Sequence, residues 1–336
     1  MTYRMPAEWE PHEGTWLSWP HNKEHWPGKF EPIPEVFAKI ARALVAAGEK
    51  VFICVNDAKM EESAKKCIGN NVGQIQYFHI PTDASWARDH GPIFVRDAKK
   101  KLVMTDWIFN TWGGKYPPWD KDDRVPQEIA KIFKLPIVEP GIVMEGGSIE
   151  VNGKGTLLTT EQCLLNKNRN PHLSRQEVAK YLHDYLGATN ILWLKEGIIG
   201  DDTDGHIDDI ARFTDAQTVV CAVEEDPKDE NYEILKKNFE DLKKMKDQDG
   251  KAFRIMELPM PEPVVYNGQR LPASYINFYI ANKAVLVPTF NCSRDKKALQ
   301  ILGELFPGHK IVAIDCVDLV WGLGTIHCST QQQPRP

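Results

Sequence analysis

Hydrophobic and polar positions alternate along the chain in a pattern that recurs five times. Each recurrence begins with a short run of aliphatic and β-branched residues that ends in polar residues, as a strand does where it meets a loop. A segment with apolar residues at helical spacing follows, and a second short apolar run comes after it. The pattern therefore predicts five strand–helix–strand units.

The predicted elements are spread over the whole chain. The first strands cover 51–57, 102–110, 156–160, 219–226 and 284–291. The helices begin near Ala58, Val125, Ser174, Asp229 and Arg294. The second strands cover 74–80, 135–139, 191–194, 253–258 and 310–316.

The segments that follow the second strands hold most of the polar side chains suited to catalysis. They contain, one in each unit, Asp89, Glu145, His206, Tyr275 and Cys328. Units of this kind with loops at matching positions favour a ring in which the loops meet at one central end. We therefore expect an α/β fold, a fivefold pseudo-symmetric β/α propeller, with residues 1–336 forming a single catalytic domain. An ordinary α/β domain is the alternative, because the units share no strict sequence repeat.

Composition and charge narrow the class of function. The net charge of -6 gives no basic footprint for nucleic acid or an anionic membrane, and it weakly favours a cationic small molecule. No stretch approaches the ~20 apolar residues that cross a bilayer, and the first residues do not form a signal peptide. Seven cysteines without a CxxC pair indicate reduced thiols. We therefore expect a cytoplasmic protein that binds neither nucleic acid nor membrane.

The most acidic segment lies at 198–213, where six aspartate and histidine side chains stand among glycines. In an extended chain the alternate side chains from Asp202 to Asp208, including His206, would lie on one side and could bind a cation. A solvated loop whose aspartates cap turns is one alternative. A zinc hydrolase that uses His206 and Asp208 as ligands is another, although no HExxH motif supports it.

Cys328 is the preferred candidate for a nucleophile. It follows a glycine-containing turn, 322–324, in a short piece with strand-like character. Cys292, in a polar loop, competes with it, whereas the other cysteines lie in apolar runs typical of buried small side chains. Neighbours on a strand point to opposite faces, so His327 is a poor partner for Cys328 and the distant His206 is a better one.

Two further segments place carboxylates beside unusual neighbours. Glu145 stands between an apolar run and two glycines, which favours a strand-end carboxylate with backbone packed closely around it. An exposed strand-end glutamate is the alternative. Asp89 follows Trp86 and Arg88, and a structural ion pair beside a core tryptophan is the alternative there.

At these residues the sequence resembles the agmatine deiminase family, guanidine-modifying enzymes with a fivefold, pentein-like propeller. The resemblance covers nearly the whole chain, from 5–9 (MPAEW) to 331–334 (QQQP), and includes 86–89 (WARD), 145–148 (EGGS), 168–171 (NRNP), 203–208 (TDGHID) and 326–328 (IHC). Several motifs in the same order make the signal specific. It departs from the family pattern at Leu323, Thr325 and His90, where glycine, asparagine and a smaller polar residue are usual.

The resemblance implies a role for the main candidates. Cys328 is similar to the nucleophile, His206 to the general acid and base, and Glu145 to the carboxylate that assists the guanidinium and the histidine. Asp89 and Asp208 resemble the clamp that holds the guanidinium.

Two more residues, Asp202 and Trp86, are expected in the substrate pocket through charge and cation–π contact. The implied reaction converts agmatine to N-carbamoylputrescine and ammonia through a covalent cysteine intermediate, and it requires no metal or other cofactor. Another guanidine, such as arginine, remains an alternative, because Arg88 could receive its carboxylate. A homodimer also stays open.

Overall fold

The computed structural model of the protein describes residues 3–69 and 72–336. The described strands are β1 (Tyr3–Arg4), β2 (His12–Ser18), β3 (Lys50–Val55), β4 (Ile75–His79), β5 (Ile93–Asp97), β6 (Leu102–Thr105), β7 (Ile137–Val138), β8 (Ile149–Val151), β9 (Thr156–Thr160), β10 (Asn190–Leu194), β11 (Ala211–Phe213), β12 (Thr218–Val223), β13 (Arg254–Pro259), β14 (Val265–Tyr266), β15 (Gln269–Arg270), β16 (Tyr279–Ile280), β17 (Ala284–Thr289), β18 (Lys310–Asp315) and β19 (Gln331–Pro334). The α-helices are α1 (Ile33–Ala46), α2 (Ala58–Ile68), α3 (Ala87–His90), α4 (Thr111–Gly114), α5 (Val125–Phe133), α6 (Glu161–Leu164), α7 (Arg175–Leu186), α8 (Tyr232–Leu242), α9 (Asp295–Leu305) and α10 (Ile326–Ser329). Short 3₁₀ turns occur at Lys23–His25, Asp122–Arg124, Gly146–Ser148, Ile207–Asp209 and Leu319–Gly322.

The five predicted strand–helix–strand units are confirmed, and so is the α/β class. In every unit the two strands lie parallel in one sheet and a helical crossover joins them. The pairs are β3–β4, β6–β7, β9–β10, β12–β13 and β17–β18, with α2, α5, α7, α8 and α9 in the crossovers. Parallel pairing requires such a crossover, because a tight turn can only join antiparallel strands.

Each of these sheets also has an antiparallel strand that the sequence pattern does not predict. Strands β5, β8, β11 and β16 pair antiparallel with the first strand of their units. The first sheet instead gains β2, parallel to β3, and β19, antiparallel to β2. The segment after Cys328 therefore lies beside a segment from the other end of the chain. No described sheet closes on itself.

Local signals explain where the helices begin and end, as α7 shows. The Ser174 side chain accepts from the backbone N–H of Glu177, and the Glu177 carboxylate accepts from the backbone N–H of Ser174, which forms a capping box. Gly187 ends the helix in the left-handed conformation. The helix buries Val178, Leu182 and Leu186 against its sheet. Among the described helices, none is both long and apolar enough to cross a membrane.

The strand predicted over 102–110 ends early, at Thr105. Beyond it the chain makes only an isolated bridge between Ile108 and Val143 before it enters α4. Inside α4, Trp112 and Gly113 have left-handed backbone angles, so this turn is irregular. The irregular turn brings the Trp112 ring to the same end of the molecule as the polar segments.

Candidate active site

All five polar segments meet at one place, the fourth of them through Asn277. Gly147 lies at its centre: a Cβ atom there would be 2.6 Å from His206 Nδ1, 2.8 Å from Asp89 Oδ1 and 3.0 Å from Asp208 Oδ2. Only glycine allows three functional side chains to approach the backbone this closely. The Gly147 N–H donates to Asp89 Oδ1 at 3.0 Å. Segments separated by more than a hundred residues thus form one site.

Cys328 lies on α10, a short helix, so the expectation of a strand-like piece is wrong. The tight turn before it is fixed by Gly324, whose Cβ would lie 2.8 Å from the Trp86 ring and 3.1 Å from Cys328 Cβ. Burial, together with the negative charges of Asp208 and neighbouring aspartates, raises the pKa of the Cys328 thiol well above its usual range. The sulfur is therefore protonated at neutral pH until a cation stands beside it.

Asn277 is a contact of Cys328 that the sequence does not reveal. Its side-chain nitrogen donates to Cys328 Sγ at 3.1 Å and to Asp209 Oδ1 at 3.1 Å, while its oxygen accepts from the backbone N–H of His327 at 3.0 Å. Tyr275, the residue expected from the fourth segment, instead donates to Asp295. Asn277 therefore holds the segment that carries the cysteine.

Asp89 and Asp208 both lie beside Gly147, and each has a buried carboxylate. Asp89 Oδ2 accepts from the Trp112 indole at 2.9 Å. Burial raises the pKa of Asp89 to about 6, against the opposing charge of His206. Burial opposes ionisation of Asp208 as well, but its hydrogen bond with His327, at 2.6 Å, and the charge of His327 lower the pKa below its usual value.

His206 is buried, with Nδ1 at 3.7 Å from Asp89 Oδ1. Neither ring nitrogen has a hydrogen-bond partner among the described residues. Burial disfavours the charged ring, but Asp89, Cys163 and Glu145 together raise the pKa of His206 well above its usual value. The ring is an imidazolium at neutral pH and can donate a proton. Cys163 is buried as predicted, yet its sulfur faces this histidine, which the sequence does not reveal.

Glu145 is fully buried, so the exposed strand-end alternative is wrong. Its Oε1 accepts from Arg169 Nε at 2.6 Å, whereas Oε2 has no partner among the described residues and is free to accept from a ligand. Arg169 NH1 also donates to Asp204 at 2.7 Å. Arg169 belongs to the 168–171 motif, but nothing in that motif reveals its contact with Glu145.

The acidic segment does not run extended, so the prediction that its alternate side chains share one face is wrong. Asp204 and Gly205 have positive φ angles, and a 3₁₀ turn follows at Ile207–Asp209. The chain reverses there, and Asp204 turns away to pair with Lys115 at 2.9 Å and with Arg169. His206 and Asp208 remain in the site.

A cavity of about 220 Å³ leads from the surface to Cys328. Asp202 and Trp86 both line it, as expected, and Tyr116 donates a hydrogen bond to Asp202. Burial raises the pKa of Asp202, an effect that the Tyr116 hydrogen bond opposes. The lining, within the part of the chain that is described, contains no lysine or arginine. The cavity thus presents acidic and aromatic groups to a cation.

The three departures from the family pattern affect the cavity unequally. Leu323 has φ of 65°, in the left-handed region that favours glycine, and its side chain lines the cavity. Thr325 donates to Asn277 Oδ1 at 2.8 Å and so supports the cysteine segment. His90 is buried behind the site, where burial lowers its pKa to about 3 and keeps it neutral. Leu323 is thus the one of the three that touches the cavity.

Two groups of side chains are close enough to hold a metal ion in the described residues: Glu145, Cys163 and His206, and Asp208, Asp209 and Cys328. A histidine ligand must be neutral, but His206 is surrounded by groups that favour its charged form. Arg169 also places a fixed cation against Glu145. Both features oppose the binding of a metal ion by Glu145, Cys163 and His206.

Comparison with known proteins identifies the family. The family model for Porphyromonas-type peptidyl-arginine deiminases matches residues 4–334. The chain belongs to this deiminase family. A putative agmatine deiminase of Legionella pneumophila (strain Paris) is 43% identical over 99% of this chain and 96% of its own. The agmatine deiminase of Pseudomonas aeruginosa (strain LESB58) is 38% identical over 99% and 96% of the two chains.

Solved structures give the same family. The agmatine deiminase of Enterococcus faecalis superposes with a TM-score of 0.94 at 34% identity, covering 99% of this chain and 96% of its own. A Campylobacter jejuni agmatine deiminase with substrate bound gives 0.91 at 33% identity over 99% and 96%. An amidinotransferase from Microseira wollei, at 12% identity and a TM-score of 0.57 over 99% and 97%, shares the α/β fold alone.

Membership of the deiminase family makes this protein an enzyme. The zinc-hydrolase alternative is not favoured, since the relatives are deiminases and both the protonated His206 and the Arg169 cation oppose a metal. The side chains at Gly147 are two carboxylates and a histidine that can donate a proton, and the Cys328 thiol lies 3.8 Å from one of those carboxylates, Asp208.

Proposed function

We propose that the protein hydrolyses agmatine to N-carbamoylputrescine and ammonia, with Cys328 as the nucleophile. The observation that carries the proposal is the end of the cavity, which Cys328 and Asp89 line, with Asp208 against the cysteine and the protonated His206 against Asp89. N-carbamoylputrescine yields putrescine when its carbamoyl group is removed, which places the reaction in polyamine biosynthesis.

Binding begins with the guanidinium, a planar cation whose N–H groups form a fork. Asp208 Oδ1 is buried without a partner among the described residues, and Asp89 also lies beside Gly147. Two carboxylates bind such a cation through charge-assisted hydrogen bonds and fix its central carbon. Glu145 Oε2 is a third acceptor beside His206.

The bound cation also activates the thiol. A positive charge beside Cys328 lowers the pKa that burial and the aspartates raise, so the sulfur releases its proton to solvent as the substrate enters. The thiolate adds to the guanidinium carbon, and His206 protonates the departing nitrogen, which leaves as ammonia. The neutral His206 then takes a proton from water, whose oxygen attacks the amidino-thioether carbon and releases Cys328 and the urea product.

The entrance of the cavity favours agmatine over arginine, which carries an additional carboxylate. Asp202 lies there to meet an amine, and burial lowers the pKa of His25 to about 4, so that ring is neutral. Arg88 is buried and donates to Glu8 and Gln332, which removes it as a receiver for a carboxylate. Lys115 pairs with Asp204. The carboxylate of arginine would face acidic groups and lose its hydration.

We further propose that the five sheets surround a pseudo-fivefold axis as one catalytic domain. The five parallel pairs and the meeting of the polar segments around Gly147 and Cys328 support this arrangement, as does the pairing of β19 with β2. All seven cysteines are free, which agrees with a reducing cytoplasm. The homodimer stays a prediction that light scattering can test.

Ammonia release from a panel of guanidines tests the function. Agmatine, arginine and a peptide with C-terminal arginine should be supplied to the purified full-length protein, with Cys328→Ser as the blank. We expect kcat/KM to be highest for agmatine and undetectable in the variant. Equal or faster turnover of arginine or the peptide would overturn the substrate assignment, and retained activity in Cys328→Ser would overturn the nucleophile.

Two reagents separate the proposal from metal catalysis. Iodoacetamide should inactivate the enzyme, more slowly when agmatine is present, because the substrate covers Cys328. EDTA should leave the rate unchanged. Activity lost to EDTA and restored by zinc would return the metallohydrolase alternative.

A further inference from the structure

His327 is a buried histidine with a carboxylate on each side of its ring. Nδ1 lies 2.6 Å from Asp208 Oδ2, and Nε2 lies 2.8 Å from Glu8 Oε2. The ring is about 1% exposed, so water does not compete for these contacts. His327 therefore links Asp208 to a glutamate from the other end of the chain.

The chemistry of the two contacts determines the charge of the ring. An ionised carboxylate only accepts hydrogen bonds, so a histidine that bonds to two of them must donate from both nitrogens. Such a ring is an imidazolium. The neutral ring can satisfy one carboxylate and must leave the other facing a lone pair.

Glu8 is itself held as an anion. Its Oε1 forms an ion pair with Arg212 at 2.8 Å and accepts from the Ile280 N–H at 2.8 Å, and its Oε2 accepts from Arg88 at 3.2 Å. Burial opposes ionisation, but the charges of Arg212, His327 and Arg88 hold the pKa of Glu8 well below its usual value. The ring thus has a fixed anion behind it.

The backbone of His327 is held as firmly as its ring. Its N–H donates to Asn277 Oδ1 at 3.0 Å, and its carbonyl accepts from Arg88 Nε at 3.3 Å. Glu150, which binds Arg212 at 3.0 Å, completes the charged groups around the ring, together with Asp208, Glu8 and Arg88. The ring therefore has no freedom to leave Asp208.

We propose that His327 is a positioning residue: anchored on Glu8, its imidazolium holds Asp208 ionised and leaves Asp208 Oδ1 directed at the substrate cation. The inference rests on the proposed function, since Asp208 is taken there as half of the guanidinium clamp. His327 does not touch the reacting atoms. It occupies one oxygen of Asp208, so the other oxygen, which has no partner among the described residues, is the one available to a ligand.

The variant His327→Gln tests the inference through steady-state kinetics with agmatine across pH. The cation beside Asp208 is lost, so the pKa of that carboxyl should rise, and the acid limb of kcat/KM, which Asp89 sets in the wild type, should become steeper because a second carboxyl then loses its charge as the pH falls. KM should rise by about tenfold or more, with a smaller change in kcat. A histidine that only stabilised the fold would change the melting temperature and leave both KM and the acid limb in place.

His12→Gln is the matched control. His12 is equally buried and bonds to Glu49 Oε1 at 2.9 Å, but it lies on β2 and does not contact Asp208. Loss of the contact between His12 and Glu49 should lower the stability of the fold without changing the acid limb of kcat/KM. If His327→Gln keeps the KM and the acid limb of the wild type, the inference is wrong while the proposed function stands.

Nitrogen NMR of the unsubstituted, ¹⁵N-histidine-labelled protein gives a second test that needs neither a folded variant nor turnover. Both ring nitrogens of His327, assigned through contacts to Glu8 and Asp208, should carry a proton in the folded protein, because each faces a carboxylate oxygen. A ring with one unprotonated nitrogen overturns the inference. If the wild type releases no ammonia from any guanidine, the proposed function fails, yet the NMR result still decides the state of His327.

Discussion

The charge state of each reacting side chain is set by identifiable neighbours. Burial alone would make Cys328 a thiol and His206 a neutral imidazole. Three acidic neighbours raise the pKa of Cys328 further. Asp89, Cys163 and Glu145 outweigh burial at His206 and raise the pKa of its ring. The site therefore holds a protonated thiol beside a protonated imidazole. Neither is a base, which is why the substrate cation is required to generate the nucleophile.

The two clamp carboxylates should be equally indispensable for binding. Asp89→Asn and Asp208→Asn each remove a charged acceptor from a buried cation, a loss of about 2 to 5 kcal/mol in binding free energy. Inhibition constants of unreactive guanidinium compounds measure this directly. Asp241→Asn, at a partly exposed residue paired with Lys244, is the control and should leave them unchanged. Unaltered affinity in both clamp variants would remove these residues from the substrate site.

The pH profile should carry the signature of Asp89. Its pKa is raised to about 6, so as the pH falls through about 6 the carboxyl gains a proton and loses the charge that binds the guanidinium. We expect kcat/KM for agmatine to fall as the pH drops below about 6 and to be constant at higher pH. The limb should disappear in Asp89→Asn, whose remaining activity has no carboxyl to protonate at that position. A flat profile from about pH 5 to pH 7 contradicts this account of Asp89.

Single residues show where inference from sequence succeeds and where it ends. Cys328, His206 and Glu145 stand beside glycines or in dense polar segments, and the structure brings them together. Asn277 and Arg169 act through contacts with residues 51 and 24 positions away, respectively. Such contacts leave no local pattern, because they are created by the meeting of distant loops.

At the scale of elements, the site depends on short turns rather than on the regular helices and strands. The turn Gly146–Ser148 packs its backbone against α3 and against the turn Ile207–Asp209. Asp89, His206 and Asp208 come from these neighbours. A side chain at position 147 would separate all three.

Gly147→Ala should therefore abolish most activity in a folded protein. The added Cβ would lie 2.6 Å from His206 Nδ1, so the ring or the turn must move, and a displacement near 1 Å costs about 100-fold in rate. Gly308→Ala is the matched control, because a Cβ there meets no atom within 4 Å. Comparable kcat/KM for the two variants would show that the close approach at Gly147 has no part in catalysis.

The apolar pattern predicts long elements better than short ones. Strand β9 begins and ends as expected, since five successive buried residues precede a helix with a clear cap. Strands β11 and β16, of three and two residues, are too short for any periodicity to be seen. The prediction of an extended chain over 198–213 is wrong for another reason. Asp204 has a left-handed backbone conformation, and the chain reverses there.

At the scale of the whole molecule, a buried ionic cluster joins the two ends of the chain beneath the site. Glu8 contacts Arg88, Arg212 and His327, and the last of these precedes the nucleophile. The 5–9 and 326–328 motifs are both recognisable in the sequence, but neither segment contains a pattern that predicts their contact. Their contact follows from the placement of β19 beside β2.

Removing Glu8 should therefore destabilise the whole protein. Glu8→Ala leaves buried cations without their anion, and breaking such a pair costs about 3 to 5 kcal/mol in the free energy of unfolding. Glu10→Ala is the comparison, because Glu10 pairs with a partly exposed Arg4 and should cost under about 1 kcal/mol. Urea unfolding of the two variants measures the difference. Equal losses would show that the cluster is not a main source of stability.

The central claim, that Cys328 attacks the guanidinium carbon of agmatine, is tested most directly by trapping the intermediate. Enzyme turning over agmatine is quenched in acid within the dead time of a rapid mixer, and its intact mass and peptides are measured. The account predicts a species heavier than the free enzyme by the mass of agmatine less one ammonia, located on the peptide that carries Cys328 and missing from Cys328→Ser. Ammonia release without any such adduct, or an adduct on another residue such as Cys163, would contradict it.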